Sequence, residues 1–168
     1  GVKFEELLNH KISLHAEEGL ILPNLKMQGK EDGCAFLNEE GRCTIHAFRP
    51  GFCRLFPLGR IYEDGSFSYY LQSQECTKAN RTKVKVNKWL GIPDLKQYEN
   101  FVNEWHYFLK DTKALLLRLS DARLNQELSM YLLNRFYTTA FDLESDFYKQ
   151  FDERMTQMKK LIYTLDRQ

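Results

Sequence analysis

The sequence predicts an α+β fold: a small, loop-rich cysteine module with a β-hairpin, packed against a mostly α-helical C-terminal half. Three observations carry this expectation. All nine glycines, four prolines and four cysteines fall within residues 1–93, and residues 94–168 hold none of them. In that second half, apolar side chains recur at the i, i+4, i+7 rhythm of one buried helical face. Between Arg60 and Leu71, two β-prone runs flank an Asp-Gly pair, the residue choice that a two-residue hairpin turn favours. The expected domains are residues 1–93, a cysteine-cluster module with an N-terminal helix, and residues 94–168, a helical bundle or cap.

Element by element, residues 3–18 read as an amphipathic helix with Phe4, Leu7, Leu8 and Ile12 on one side, and Gly19 stands where a helix C-cap belongs. Leu20 to Met27 is apolar and contains Pro23, so it reads as an extended edge segment. Regular structure from Gly33 to Cys76 has to be brief. Arg60-Ile61-Tyr62 and Phe67 to Leu71 form the hairpin around Glu63-Asp64-Gly65-Ser66. Lys83-Val84-Lys85-Val86 alternates with period two and predicts a short strand.

Asp94, with Gln97 three residues on, has the layout of a capping box. The helix it opens buries Phe101, Trp105, Phe108, Leu109, Thr112, Leu115, Leu116 and Leu119. Ser120-Asp121 is a break and a new cap, followed by a helix burying Leu124, Leu128, Tyr131, Leu132 and Phe136. After a pause from Asp142 to Asp146, a third helix carries Phe147, Phe151, Met155, Met158, Ile162 and Leu165 on one side. The aromatic stripe is core by this reading. His106, with no second ligand at helical spacing, is a partly exposed helix residue rather than a catalytic or metal-binding one.

Composition excludes several functions. The chain has 168 residues and a net charge of +1, from 24 basic against 23 acidic side chains. Phosphate neutralisation needs a clustered basic excess, so nucleic acid is not an expected partner. Apolar runs such as Leu115-Leu116-Leu117 fall far short of a bilayer span, so no membrane partner is expected, and with no leader visible the expected location is cytoplasmic. Lys78, Arg81, Lys83, Lys85 and Lys88, next to Trp89, make a local basic strip without an acid between them. Such a strip can meet nucleic acid or an acidic partner, or it is simply the solvated face of a short strand. Acidic pairs such as Glu17-Glu18 and Glu63-Asp64 sit at turns and face solvent. No phosphate-cradling glycine loop, His-Glu-x-x-His helix or serine elbow is present.

The chemistry lies in Cys34, Cys43, Cys53 and Cys76, separated by eight, nine and 22 residues. Four thiols suffice for one tetrahedral zinc site or one iron–sulfur cluster, although no C-x-x-C knuckle marks them. They crowd a loop-rich region with few aliphatic residues. Arg42, Arg49, Arg54 and Arg60 lie among them, and guanidinium groups lower thiol pKa values and offset the charge of a thiolate site. Neighbouring glycines and aromatics (Gly33, Phe36, Gly41, Phe52, Phe56) provide tight turns and a dry shell. Other readings stand beside this one: four buried thiols packed as small hydrophobes, two disulfides in one of three pairings, or a Cys43 nucleophile with His46 as its base. His46 is also a candidate fifth ligand or supporting donor.

Three elements occur in order: Cys34-Ala35-Phe36-Leu37, then Gly41-Arg42-Cys43-Thr44-Ile45-His46, then Arg49-Pro50-Gly51-Phe52-Cys53-Arg54-Leu55-Phe56-Pro57. Together they resemble the signature of the YkgJ-type cysteine-cluster proteins, and Cys76 fits that family's later cysteine. The resemblance spans roughly residues 20–90 and implies a zinc- or iron-chelating domain without an established catalytic activity. The family's dense C-x-x-C-x-x-C-C run is not in this sequence, so the four cysteines are either a complete site or half the ligands of a larger one. The expected function is binding of zinc or an iron–sulfur cluster through the four cysteines, with Arg49 and Arg54 tuning the thiolates. Two alternatives remain: a metal-stabilised module that binds a protein partner, and a protein-modifying enzyme akin to the flagellin lysine methylases, which share a related cysteine pattern.

Overall fold

A computed structural model describes residues 2–29, 32–75 and 82–167. The N-terminal helix α1 spans Phe4–His10 and stops well before residue 18. Strand β1 (Ile12–Glu17) follows and pairs antiparallel with β2 (Leu20–Leu25), in register from Ile12 opposite Leu25 to Glu17 opposite Leu20. Glu18 and Gly19 join them at φ 49° and 85°. Two consecutive left-handed residues make the turn whose twist matches a hairpin, so Gly19 closes a hairpin and not a helix. The apolar positions Phe4, Leu7, Leu8 and Ile12 fit a helix, but Ile12, Leu14 and Ala16 also alternate, and a hairpin lets this segment pair with the apolar run that follows it.

The register points the backbone nitrogens of Ile21 and Pro23 away from β1. Ile21 donates its N–H to Ser129 Oγ at 2.7 Å, and proline has none to donate.

The chain gathers into two compact units, Gly1–Thr44 with Leu109–Gln168, and Ile45–Phe108. The first holds α1, the β1–β2 hairpin and a two-residue ladder of β3 (Met27–Gln28) with β4 (Gly33–Cys34). It also holds the second half of α4 (Leu95–Arg118), α5 (Ala122–Leu133) and α6 (Phe147–Leu165). Its buried side chains include Leu20, Leu116, Leu132, Phe136, Met155 and Met158.

Each long helix starts on an aspartate, as the sequence predicts for Asp94 and Asp121. Asp94 accepts from the Gln97 N–H at 2.9 Å. Asp121 accepts from Arg123 and Leu124, and Asp146 from Lys149 at 2.7 Å. These carboxylates satisfy donors that a helix start leaves orphaned and sit favourably in its dipole.

Beyond α5 the backbone widens into a π turn over Asn134–Thr138, and the Thr139 N–H bonds to the Asn134 carbonyl. The turn is tied down by Arg154, a buried cation on α6. Its guanidinium donates to the carbonyls of Arg135, Thr139 and Ala140 at 2.8, 2.8 and 2.7 Å, and lies 3.7 Å from the Phe141 ring centre. Burial and the neighbouring charge of Arg135 lower its pKa.

The second unit contains a 3₁₀ turn (His46–Phe48), α2 (Gly51–Leu55), the hairpin β5 (Leu58–Glu63) with β6 (Ser66–Leu71), α3 (Val86–Leu90) and the first half of α4. The hairpin turns at Asp64-Gly65, both at positive φ, as the Asp-Gly pair predicts. Lys83–Val86 is not a strand. Residues 82–85 are irregular and Val86 begins α3, because Leu90 is buried by a helical turn that Gly91 ends in the left-handed conformation. Tyr62 stacks on His106, with ring centres 3.6 Å apart, so this histidine is part-buried packing material. The fold is α+β, and among the described residues no helix is long and apolar enough to cross a membrane.

Candidate metal centre

Cys34 and Cys43 lie on one tightly bonded loop of the first unit. Cys34 ends β4 opposite Met27, and its carbonyl accepts the Leu37 N–H at 2.9 Å. Leu37 forms a bridge pair with Cys43. Between them the chain reverses around Asn38, whose side-chain oxygen accepts from the N–H groups of Glu40 (3.1 Å) and Arg42 (2.8 Å). Gly41 takes the positive φ of 73° that this reversal needs. Thr44 closes the loop by donating both its N–H and its hydroxyl to the Phe36 carbonyl at 2.9 Å.

Lys11 pins the loop from outside, donating to the Ala35 carbonyl at 2.6 Å with its ammonium 5.4 Å from the Phe36 ring centre. Both thiols are half-buried and free. Cys34 borders an open cleft of about 420 Å³ lined also by Gln28, Gly29, Gly33, Leu37 and Asn38. Neither cysteine is packed as a fully buried small hydrophobe, and neither is in a disulfide.

Cys53 occupies the middle of α2 in the second unit, half-buried. Arg49 donates Nη1–H to Nε2 of His46 at 2.9 Å, and its Nε is buried without a partner. Arg54 donates to the Ala47 carbonyl at 2.8 Å. Both arginines are held by neutral groups, so these bonds fix the guanidinium charges without cancelling them.

Gly51 gives α2 its seat. A Cβ there would stand 2.3 Å from the Tyr98 hydroxyl, which in turn accepts from Arg60 at 2.8 Å. The Phe56–Pro57 peptide that follows is cis. Trp89 of α3 donates its indole N–H to the carbonyls of Leu55 (3.4 Å) and Phe56 (3.2 Å) at the end of α2.

The dry shell that the neighbouring aromatics predict is only partly present. Phe36 is buried, whereas Phe52 and Phe56 are 59% and 52% exposed. Cys76 lies outside the described residues. Among those described, no three His, Cys, Asp or Glu side chains converge to hold a metal ion. Cys34 and Cys43 offer two free, half-buried sulfur donors on this loop, the ligand type that thiophilic metals take.

Lys11, Asn38, Thr44 and Tyr98 position this region and are not evident from cysteine spacing. Asn38 did leave a signal, since asparagine three residues before a glycine is turn chemistry.

Residues 3–82 match a family model described as "CxxCxxCC: Putative zinc- or iron-chelating domain". No curated protein and no solved structure matches the chain. The matched stretch contains all three signature elements and all four cysteines, and it supports the resemblance to the YkgJ-type cysteine-cluster family.

Proposed function

We propose that the protein binds zinc or an iron–sulfur cluster through the thiolates of Cys34, Cys43, Cys53 and Cys76, within a module formed by residues 1–93 and supported by the helical residues 94–168. The family match over residues 3–82 carries the reading, because the domain it describes is a zinc or iron chelator. Two further facts support it. Cys34 and Cys43 are free, half-buried thiols on a loop fixed by its own hydrogen bonds. Arg49 and Arg54 flank Cys53 in sequence and bond to His46 and the Ala47 carbonyl, and their positive charge would favour thiolate over thiol. Zinc held by four sulfurs has no open position and serves structure, whereas an iron–sulfur cluster supplies electron-transfer chemistry. A reducing, cytoplasmic setting that keeps thiols available belongs to the same reading.

The test is metal analysis with visible absorption on protein purified without oxygen. One equivalent of zinc and no colour identifies a structural zinc site; iron, inorganic sulfide and broad visible absorption identify a cluster. Replacing any of the four cysteines by serine lowers the metal content. Four thiols that react freely in folded, metal-free protein would refute the proposal.

A further inference from the structure

Four large apolar side chains stand out from the α2–α3 part of the second unit. Phe48 is 86% exposed, Phe52 and Phe56 are 59% and 52% exposed, and Trp89 is 43% exposed. Phe48 ends the 3₁₀ turn, Phe52 lies in α2 and Phe56 caps it. The indole of Trp89 is fixed beside Phe56 by its hydrogen bonds to the carbonyls of Leu55 and Phe56. The surroundings are cationic. Residues 45–62 and 82–93 contain no aspartate or glutamate, yet they supply Arg49, Arg54, Lys83, Lys85 and Lys88, and the three lysines are exposed. Exposed apolar rings on short elements that carry one sign of charge mark an interaction face.

We propose that this face docks an acidic segment of another protein, one that carries apolar side chains among its aspartates and glutamates. Charge complementarity selects the acid, and the rings select the apolar residues. The arginines are pre-set: Arg49 is held by His46 and Arg54 by the Ala47 carbonyl. Guanidinium groups held in place suit carboxylates, and aromatic anchors with arginine are the usual composition of protein-binding hot spots. A nucleic acid fits less well, because the chain as a whole carries only +1 and a phosphate backbone rewards a larger basic field. A bilayer surface fits less well too, because the face is built from a three-residue turn and two five-residue helices, without the long amphipathic helix that lies in a membrane interface. A second copy of the same face is excluded by its charge.

The inference does not rest on the metal reading, and the test separates the two. The full chain is titrated with a synthetic helical peptide of glutamates with leucine and phenylalanine at helical spacing. The same peptide with serine at every apolar position is the control, and metal content and circular dichroism are recorded for every variant. The apolar acidic peptide binds, and the serine version binds roughly tenfold more weakly or worse. Phe48→Ser, and separately the pair Lys85→Gln and Lys88→Gln, each weaken binding by a similar factor. None of these positions is a proposed ligand, so fold and metal content stay unchanged. Absence of binding at millimolar peptide overturns the proposal. So does equal binding of the serine peptide, indifference to the variants, or tighter binding of a DNA oligonucleotide or of anionic phospholipid vesicles.

Discussion

Gly51 sits two residues before Cys53, and its replacement by alanine offers a direct test of how α2 is seated. The added Cβ would lie 2.3 Å from the Tyr98 hydroxyl oxygen and 3.1 and 3.2 Å from two ring carbons. The first distance is impossible and the others are merely tight, so the conflict is with one atom. Tyr98 cannot yield freely, because it is buried and its hydroxyl accepts the Arg60 bond at 2.8 Å. Overpacking costs about 1–3 kcal/mol, and displacing the hydroxyl adds part of a charge-assisted hydrogen bond of about 1.5–3 kcal/mol.

Gly51→Ala therefore destabilises the second unit by about 3 kcal/mol. Tyr98→Phe alone costs about 1.5 kcal/mol, the Arg60 bond. The double variant has lost the clashing oxygen already, and is destabilised by about 1.5 kcal/mol, as Tyr98→Phe alone is, rather than the additive ~4.5, a coupling of about 3 kcal/mol. Both tryptophans, Trp89 and Trp105, belong to this unit, so urea unfolding followed by tryptophan fluorescence reads it selectively. If the two substitutions add to within about 0.5 kcal/mol, the independence threshold, the steric account is wrong. The same glycine governs how Cys53 is presented, so metal content in Gly51→Ala should fall with stability.

Two other outcomes follow from the described contacts. Arg154→Met strands the carbonyls of Arg135, Thr139 and Ala140 and lowers stability by about 3–4 kcal/mol, measured by thermal melting, with Arg154→Lys falling between it and the parent; a loss under about 1 kcal/mol would show that water or other donors replace the guanidinium. Burial and then the Glu99 carboxylate push the Tyr69 phenol up to about 12. Because the folded state keeps this proton longer than the unfolded chain does, its contribution is complete below about pH 10 and is lost as pH climbs toward 12. Ultraviolet titration should find one late-ionising tyrosine that Glu99→Gln moves toward 10, and titration of every tyrosine near 10 would refute the assignment.

How far the sequence could be read depended on whether a signal was local. Asp94 and Asp121 announce their helices because a cap is a contact between residues three apart in the chain, and Asp146 makes the same contact with Lys149 where the sequence reads only as a pause. Asp64-Gly65 does the same for the second hairpin. The first hairpin was hidden because Phe4, Leu7, Leu8 and Ile12 satisfy a helical period, and because Glu18 accepts a positive φ that its type disfavours. Lys83 to Val86 alternates, but four residues without a partner strand lose to a helical turn that buries Leu90.

In the cysteine region the motifs were legible, since each element is a short run with its own turn chemistry. Their supports were not. Lys11 reaches Ala35 across 24 positions and Tyr98 meets Gly51 across 47, and spacing carries no trace of either. The outward Phe52 and Phe56 could not be told from inward ones, because apolar residues beside a ligand are equally consistent with lining or with display.

The outer side of β2 has a consequence for the behaviour of the chain in crowded solution. A lone two-stranded ribbon normally presents free donors along its rim and invites a neighbouring molecule to add a strand. Here the Ile21 donor is occupied by Ser129 and position 23 is proline. An incoming strand would lose two consecutive anchoring bonds on that side. On its β2 side the ribbon is thereby kept from growing into an intermolecular sheet, through one serine on a distant helix and one residue that has no N–H.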